Sequence, residues 1–215
     1  MKAPARVAMY VLLKLDDYLT RCINRVAIYY DGGVHVKHRL MQYHDFFVDR
    51  VKPDERVLDI GCGYGAVAYS VASRAGAWVT GIDLSVDNIA KAQKRFRHPT
   101  LTFRQGDALT DLPTDSYEVI ILSNLLEHLE HREAFLRAVQ QKLRPQRWLI
   151  RVPMINRDWR VFLRKELGMF YFSDRTHFTE YTQDSFDAEM RRAGFQVVHL
   201  QINWGEIWAE VRSHA

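Results

Sequence analysis

Residues 57–68, with the sequence VLDIGCGYGAVA, constrain the fold of this chain more than any other segment. An apolar run that predicts a buried strand leads into Gly61, Gly63 and Gly65, and a helical pattern begins directly after them. Glycines at such a turn let the backbone approach a ligand closely at the N-terminus of the helix. We therefore expect a nucleotide-like ligand at this turn.

Apolar runs that alternate with helical patterns indicate an α/β fold around this turn. The predicted strands are 56–60, 78–82, 101–105, 117–122 and 147–152. The other predicted elements are a helix over 5–30, an amphipathic stretch over 36–51, a helix between Thr182 and Gly194, and a hairpin of 195–202 with 206–213. Strands that alternate with helices build a parallel sheet with helices on both faces, and such sheets bind ligands at the carboxyl ends of their strands.

Length and composition favour one domain in a reducing compartment. The chain has 215 residues, of which 47% are hydrophobic and 26% charged, enough for one sizeable core. Its net charge of +4 is spread along the chain, so we interpret it as solubilising charge in preference to an affinity for nucleic acid or lipid. Cys22 and Cys62 cannot form a disulfide framework, and the N-terminal apolar run is interrupted by Lys14, Asp16 and Asp17. A cytoplasmic location is the simplest expectation.

The glycine pattern alone leaves two classes of ligand open. Gly61, Gly63 and Ala66 also fit the G-x-G-x-x-G/A fingerprint of dinucleotide-binding proteins, and Asp83 ends the next strand where a ribose-binding carboxylate lies in such proteins. Asp59, two residues before the first glycine, suits a ligand with cationic groups and would repel a pyrophosphate. A sulfonium and an amine therefore fit this turn better than a dinucleotide.

Four ordered motifs resemble those of a known family. VLDIGCGYG at 57–65, GIDLS at 81–85, QGDA at 105–108 and SNLLEHL at 123–129 have the order and spacing of class I S-adenosylmethionine (SAM)-dependent methyltransferases. The similarity is greatest to the branch with the quinone-biosynthesis and sugar methyltransferases. It implies SAM as the cofactor and a Rossmann-like, seven-stranded, mostly parallel sheet with an antiparallel C-terminal hairpin and an N-terminal helical cap.

The resemblance also implies roles for individual residues. Asp83 would accept hydrogen bonds from the ribose hydroxyls, Leu84 would pack on the adenine, and Asp107 would accept from the adenine amino group. The full set that it assigns to the cofactor is Asp59, Gly61, Cys62, Gly63, Gly65, Asp83, Leu84, Asp107, Ala108 and Ser123. Each of these residues alone is equally compatible with a strand end, a turn or a core position, but together they favour a bound cofactor.

We expect one methyltransferase domain over 1–215 with four parts. These are an N-terminal helical cap at 1–52, a SAM-binding core at 53–155, a substrate-recognition insertion at 156–182, and a C-terminal helix and hairpin at 183–215. The segment before 147–152 lacks the glycine pair usual in the family, which leaves the geometry of that turn open.

Two histidines are the candidates for catalysis. His128 follows the strand 117–122 and titrates near neutral pH, so it is the first candidate for a general base, with Glu127 second. Alternatively, His128 only shapes the SAM pocket. His177, with Asp174 as a possible orienting group, is a further candidate for a base, a substrate contact or a structural residue.

Aromatic and polar side chains supply the candidates for acceptor binding. The predicted substrate-binding residues are Tyr30, His38, Tyr43, Asp174 and Tyr181. The alternative for the first three is a partly exposed cap without substrate contact. No His, Asp and Glu spacing is convincing for a metal, since DRTHFTE is too loose a match, so we expect no metal site.

Missing motifs narrow the acceptor. SNLL stands where amino-group methyltransferases of DNA and proteins carry an Asn/Asp-Pro-Pro-Tyr/Phe motif, and no Pro-Cys nucleophile is present, so nucleic acid is not expected. The first expectation is O-methylation of a glycan or small-metabolite hydroxyl. Two alternatives stay open: a carbon or oxygen methyltransferase for a lipid-linked or quinone acceptor at a membrane surface, and a non-catalytic SAM-binding partner protein. Oligomeric state is not predicted.

Overall fold

The computed structural model describes residues 2–33, 35–108 and 110–214. The helices are α1 (Lys2–Tyr30), α2 (Lys37–Met41), α3 (Tyr43–Val48), α4 (Ala66–Ala75), α5 (Val86–Arg95), α6 (Arg132–Leu143), α7 (Trp159–Glu166) and α8 (Gln183–Ala193). The strands are β1 (Arg56–Ile60), β2 (Trp78–Asp83), β3 (Leu101–Gln105), β4 (Val119–Ser123), β5 (Arg147–Pro153), β6 (Phe195–Asn203) and β7 (Glu206–Ser213). A single 3₁₀ turn, Leu126–His128, follows β4.

The seven strands form one sheet in the order β3-β2-β1-β4-β5-β7-β6. Strands β1 to β5 are parallel, and β7 is antiparallel to both β5 and β6. The strand order reverses between β1 and β4, and ligands of open α/β sheets bind at such a switch point. The predicted fold class, including the antiparallel hairpin, is confirmed.

The centre of the sheet is apolar because helices cover it on both faces. Strand β5 is buried at every position and β4 at all but its last, as expected for parallel strands without a solvent-facing side. Leu58, Ile120 and Ile150 belong to the main hydrophobic cluster, which also contains residues of α6 and α8. This core fixes the carboxyl ends of β1, β2 and β4 at one edge of the sheet.

Capping residues determine where the helices near the sheet begin and end. The Ser85 hydroxyl accepts from the amide of Asn88 at the start of α5, and Thr182 and Ser185 form a reciprocal capping box at the start of α8. Gly194 ends α8 in the left-handed conformation. Before β5, where the family's glycine pair is missing, Arg144 takes the left-handed conformation with φ of 46°.

The chain divides into two compact units, each described here by itself. One comprises the chain up to Tyr43 together with Asp158–Tyr171, and the other comprises His44–Arg157 and the chain from Phe172 onward. The sheet lies in the second unit. The predicted stretch 36–51 forms two short helices instead of one, because Gln42 between them has φ of 50°.

In the first unit, α1 is held by ion pairs to α7, a helix that the sequence analysis did not predict. Arg164 pairs with Asp16 and Asp17 at 3.1 and 2.9 Å, and Arg160 also pairs with Asp16. Another face of α1 is apolar and exposed. No helix among residues 2–33, 35–108 and 110–214 is long and apolar enough to cross a membrane.

Candidate cofactor and acceptor site

The glycine turn between β1 and α4 is packed tightly on one side. The amides of Gly61 and Cys62 donate to the carbonyl of Ile82, at 2.8 and 3.1 Å. Gly65 precedes α4 with φ of 78°, and a Cβ there would overlap the Phe103 ring. A Cβ on Gly61 would lie 2.8 Å from Cδ1 of Leu125. These two glycines therefore allow the turn to fit against its neighbours.

Gly63 lies on the open side of the same turn. Its φ is +54°, and a Cβ there would have no described atom within 4 Å. Its amide donates to Oδ2 of Asp83 at 2.8 Å. Packing does not explain this glycine. Its left-handed backbone favours glycine, and the open side leaves room for a ligand to approach the backbone closely.

Asp83, at the end of β2, is held by three donors. Besides Gly63, the amide of Ser85 and the side-chain nitrogen of Asn88 donate to its Oδ1, at 2.9 and 3.1 Å. A carboxylate has about four lone-pair positions, and three of them are occupied here. The carboxylate is therefore fixed in position, while Oδ2 keeps the capacity to accept from one hydroxyl group of a ligand.

Asp59 is a buried carboxylate at the end of β1. It is 1% exposed, and its Oδ1 has no hydrogen-bond partner among the described residues. Burial, and then the nearby charge of Asp83, raise its pKa to about 7, although the backbone of Ala68 opposes this. An unpaired buried carboxylate is costly. A cationic ligand would compensate that cost and keep the group ionised.

An apolar side chain stands beside this polar cluster. Leu84, directly after Asp83, is 67% exposed, which leaves its side chain available to a flat ring. The amide of Asp107 donates to Oδ2 of Asp111 at 2.9 Å, which shapes the turn after β3. Ala108 packs against the main core.

The remaining two candidates from the resemblance have different surroundings. Burial, with the charges of Asp59 and Asp83, raises the pKa of the Cys62 thiol, so the thiol stays protonated and is no nucleophile. The hydroxyl of Ser123 accepts from Arg151 at 3.4 Å. Next to it, Asn124 has φ of 56° and a buried Oδ1 without a partner in the described part of the chain.

A second cluster lies after β4, the strand beside β1 in the sheet. Glu127 is fully buried, and burial raises its pKa to about 7. Its backbone carbonyl accepts from the amide of Phe178 at 2.8 Å, which joins the β4 turn to the loop before α8. His128 and His177 consequently lie side by side, with ring centroids 4.6 Å apart in an edge-to-face arrangement.

Each imidazole is oriented by a hydrogen bond at Nδ1. His177 Nδ1 is 3.0 Å from Oε1 of Glu180, and His128 Nδ1 is 2.8 Å from the hydroxyl of Thr176. The sequence analysis considered Asp174 as the orienting group of His177, but the structure corrects this. Asp174 accepts from Thr176, so it acts on the side of His128.

Glu180 also belongs to this cluster, although the sequence analysis assigned it no role of its own. Its side chain is fully buried and paired with Arg157, and it also accepts from the Ser173 hydroxyl at 2.6 Å. Burial alone would raise its pKa, but the hydrogen bonds from His177 and Ser173 and the charge of Arg157 outweigh burial and lower the pKa. A glutamate in a polar loop gives no signal of burial in the sequence.

The other predicted substrate-binding residues have surroundings of their own. Tyr181 is 1% exposed and donates from its hydroxyl to Glu189 at 2.7 Å, so its side chain belongs to the core. In the other unit, Tyr30 is exposed at the end of α1. Tyr43 OH lies 2.6 Å from Nδ1 of His38. The structure brings Asp174 to the histidines but not Tyr181.

A family model described as a methyltransferase domain matches residues 33–200. The chain belongs to the class I SAM-dependent methyltransferases. Solved methyltransferases share its fold. The magnesium protoporphyrin IX methyltransferase of Synechocystis PCC 6803, with bound S-adenosylhomocysteine, has a TM-score of 0.67 and 20% identity over 94% of this chain and 99% of that one. The putative methyltransferase in a Haloferax volcanii complex with the Trm112 activator has a TM-score of 0.68 and 16% identity, covering 86% and 93%.

Curated methyltransferases are similar in sequence over part of their length. The ubiquinone biosynthesis O-methyltransferase of Paracidovorax citrulli is 31% identical over 132 residues, which is 58% of this chain and 55% of that protein. The protein of the same name from Bradyrhizobium diazoefficiens is 31% identical over 118 residues, 54% and 46% respectively. The chain thus spans about half the length of these relatives. Its cofactor is SAM.

Proposed function

We propose that this methyltransferase transfers the methyl group of SAM to a hydroxyl oxygen of a small-molecule acceptor. The observation that carries the proposal is the pair of imidazoles at the carboxyl end of β4, the strand directly beside the β1 glycine turn. A hydroxyl acceptor must lose its proton as it is methylated, and imidazole is suited to this at neutral pH.

The glycine turn supports a role in holding the cofactor. When bound, SAM supplies an electrophilic methyl group, and the protein has to align the acceptor and exclude water. Asp59 would compensate the cationic amino-acid and sulfonium portion, Asp83 would accept from the ribose, and Leu84 would pack on the adenine. The other predicted cofactor-binding residues stay as the resemblance implies. The backbone would approach the cofactor most closely at Gly63.

Hydrogen bonding favours His128 as a base through Nε2. Because the Thr176 hydroxyl donates to Asp174 at 2.6 Å, it accepts from Nδ1–H of His128, which leaves the Nε2 lone pair available. Burial, and then the neighbouring His177, lower the pKa of His128, so the ring is neutral at physiological pH. His177 would act on the same side of the site. Asp174 would be a positioning residue for His128, through Thr176.

The names of the relatives favour a phenolic or other small-molecule hydroxyl as the acceptor. The glycan hydroxyl expected from the sequence remains a second possibility of the same chemical class. The deep burial of Tyr181 is the reason to leave it out of the proposed acceptor contacts. Tyr30, His38 and Tyr43 stay predictions.

A specific feature of α1 favours an acceptor that resides at a membrane surface. Six of its exposed apolar side chains, each at least half exposed, fall on one stripe at helical spacing. They are Val11, Leu12, Leu15, Leu19, Ile23 and Val26. Asp16 and Asp17 are paired with α7, so the remaining charges of the helix include Lys14, Arg21 and Arg25. A basic amphipathic helix of this kind suits an anionic lipid surface.

Methyl transfer from labelled SAM to a panel of phenols, catechols, prenylated quinol precursors and sugars tests the proposal. We expect label in a product whose methyl group is an ether, which mass spectrometry and alkali stability identify. His128→Gln should lower the rate roughly 100-fold, in line with loss of a general base. Label on carbon, or transfer undiminished in His128→Gln, would contradict the assignment.

A further inference from the structure

Glu127, His128 and His177 bring three ligand atoms together outside the glycine turn. One donor atom from each residue lies within 4.8 Å of the other two. Glu127 and His128 are adjacent, but His177 is far from them in the sequence, so the spacing gave no sign of this cluster. We propose that they bind a divalent transition-metal ion.

The state of Glu127 is the first argument. The side chain is fully buried, yet neither carboxylate oxygen has a hydrogen-bond partner among the residues that the structure describes. Buried carboxyl groups are almost always paired, because an unsatisfied one is costly. A cation at the cluster would satisfy both oxygens.

The two imidazoles present their lone pairs in a form suited to a metal. His177 faces a carboxylate, Glu180, and must donate from Nδ1, so its Nε2 is the unprotonated nitrogen. His128 donates from Nδ1 to Thr176, whose own hydroxyl proton goes to Asp174, so its Nε2 is unprotonated as well. Metal-binding histidines usually have this arrangement, with the second nitrogen bonded to a carboxylate or another acceptor.

The loop that carries His177 is built to hold this geometry. Glu180 is fixed by Arg157 and by the Ser173 hydroxyl, so it orients the imidazole instead of rotating with it. The hydrogen bond from Phe178 to the carbonyl of Glu127 fixes the loop to the turn that supplies the other two ligands. The cluster is therefore preorganised from two separate chain segments.

Two imidazoles and one carboxylate select the class of ion. This donor set suits Zn²⁺, Mn²⁺, Fe²⁺ or Co²⁺, whereas Ca²⁺ and Mg²⁺ prefer oxygen ligands alone. Three protein ligands leave coordination positions open. In a step that rests on the proposed function, an acceptor with two adjacent hydroxyl groups, such as a catechol, would fill them. With the ion bound, Nε2 of His128 would be a ligand and no longer a base, and the ion would instead lower the pKa of the hydroxyl to be methylated.

Cobalt titration of the chelator-treated protein, without SAM or acceptor, tests the site. Co²⁺ reports its ligands through visible absorption. We expect one ion per chain with a spectrum typical of nitrogen and oxygen ligands. His177→Asn and Glu127→Gln should weaken binding at least roughly tenfold. The matched substitutions His131→Asn and Glu130→Gln alter exposed neighbours on the same segment and should leave binding unchanged.

Wild-type protein that binds no Co²⁺, Mn²⁺ or Zn²⁺ stoichiometrically would overturn the metal site, as would binding that His177→Asn and Glu127→Gln leave unchanged. Because the titration involves no methyl transfer, a metal-free but active enzyme refutes the site alone. Stoichiometric metal binding by a protein that methylates no hydroxyl supports the site and refutes O-methylation.

Discussion

The amide of Gly63 donates to Oδ2 of Asp83 across 2.8 Å, which joins the glycine turn after β1 to the end of β2. The other oxygen of the same carboxylate accepts from Ser85 and Asn88 at the start of α5. This one side chain therefore fixes the turn before α4 and the start of α5, close to the switch point of the sheet. The proposed cofactor site depends on this connection.

The glycines of the turn should differ in what their replacement affects. Gly63→Ala puts a methyl group into open space, so we expect the free energy of unfolding to fall by about 1 kcal/mol from the left-handed backbone, while binding of S-adenosylhomocysteine is largely lost. Gly65→Ala pushes a methyl group into the Phe103 ring and should lose about 2–4 kcal/mol of stability. Urea denaturation and calorimetric titration measure the two effects.

A loss of stability in Gly63→Ala as large as that in Gly65→Ala would contradict the open surroundings of Gly63. Retained binding in a folded Gly63→Ala protein would place the ligand elsewhere. Gly168→Ala is the control, since Gly168 also has a positive φ, of 71°, with no described atom near its Cβ position.

Cofactor affinity should depend on pH through Asp59. The ammonium group of S-adenosylhomocysteine prefers the ionised carboxylate, and the pKa of Asp59 in the free protein is raised to about 7. Below that pH, binding requires loss of a proton, so the affinity for S-adenosylhomocysteine should fall by about tenfold per pH unit. Calorimetric titration between pH 8 and 5.5 measures this.

Asp59→Asn removes the titrating group and should bind weakly at every pH of that range. It should also be no less stable than the wild type, because an uncharged amide replaces a buried carboxylate. A wild-type affinity that does not change with pH, or a variant that retains the wild-type pH dependence, would exclude Asp59 as the group responsible.

Glu180 should matter for stability as well as for the orientation of His177. Glu180→Gln removes the buried carboxylate that pairs with Arg157 and should cost roughly 3 kcal/mol at neutral pH. Since the pKa of Glu180 is lowered in the folded protein, this stabilisation is present above the ordinary glutamate pKa and disappears as the pH falls through the lowered pKa. Urea denaturation at several pH values should therefore show the two proteins converging in acid; a constant difference would contradict this account.

The exposed stripe of α1 predicts binding to anionic vesicles. Leu19→Glu introduces a charge in the middle of the stripe and should abolish co-sedimentation with phosphatidylglycerol vesicles. Thr20→Glu adds the same charge on another face of the helix and should reduce binding only modestly. Wild-type protein that stays in the supernatant, or two variants that behave alike, would refute the membrane-surface proposal.

The sequence predicts those features that short-range patterns determine. Residues 56–60 and 206–213 are strands as predicted, because apolar runs bounded by turn residues leave few alternatives. Helix α7 was missed because it is only eight residues long and buries a single apolar residue, Val161, which is too short a stretch for a helical period to stand out. The contact between His128 and His177 was missed because the loop before α8 brings the two side chains together, and no periodicity of the sequence indicates such a contact.

Calorimetric titration with S-adenosylhomocysteine tests the central claim, a SAM site at the glycine turn, most directly. We expect the wild type to bind with an affinity on the order of micromolar, and Asp83→Ala to bind about 1–3 kcal/mol more weakly, as expected for a lost charge-assisted hydrogen bond. Asp87→Ala, which removes an exposed carboxylate from the first turn of α5, should bind like the wild type. Well-folded wild-type protein that binds no S-adenosylhomocysteine, or an Asp83→Ala variant with undiminished affinity, would contradict the account.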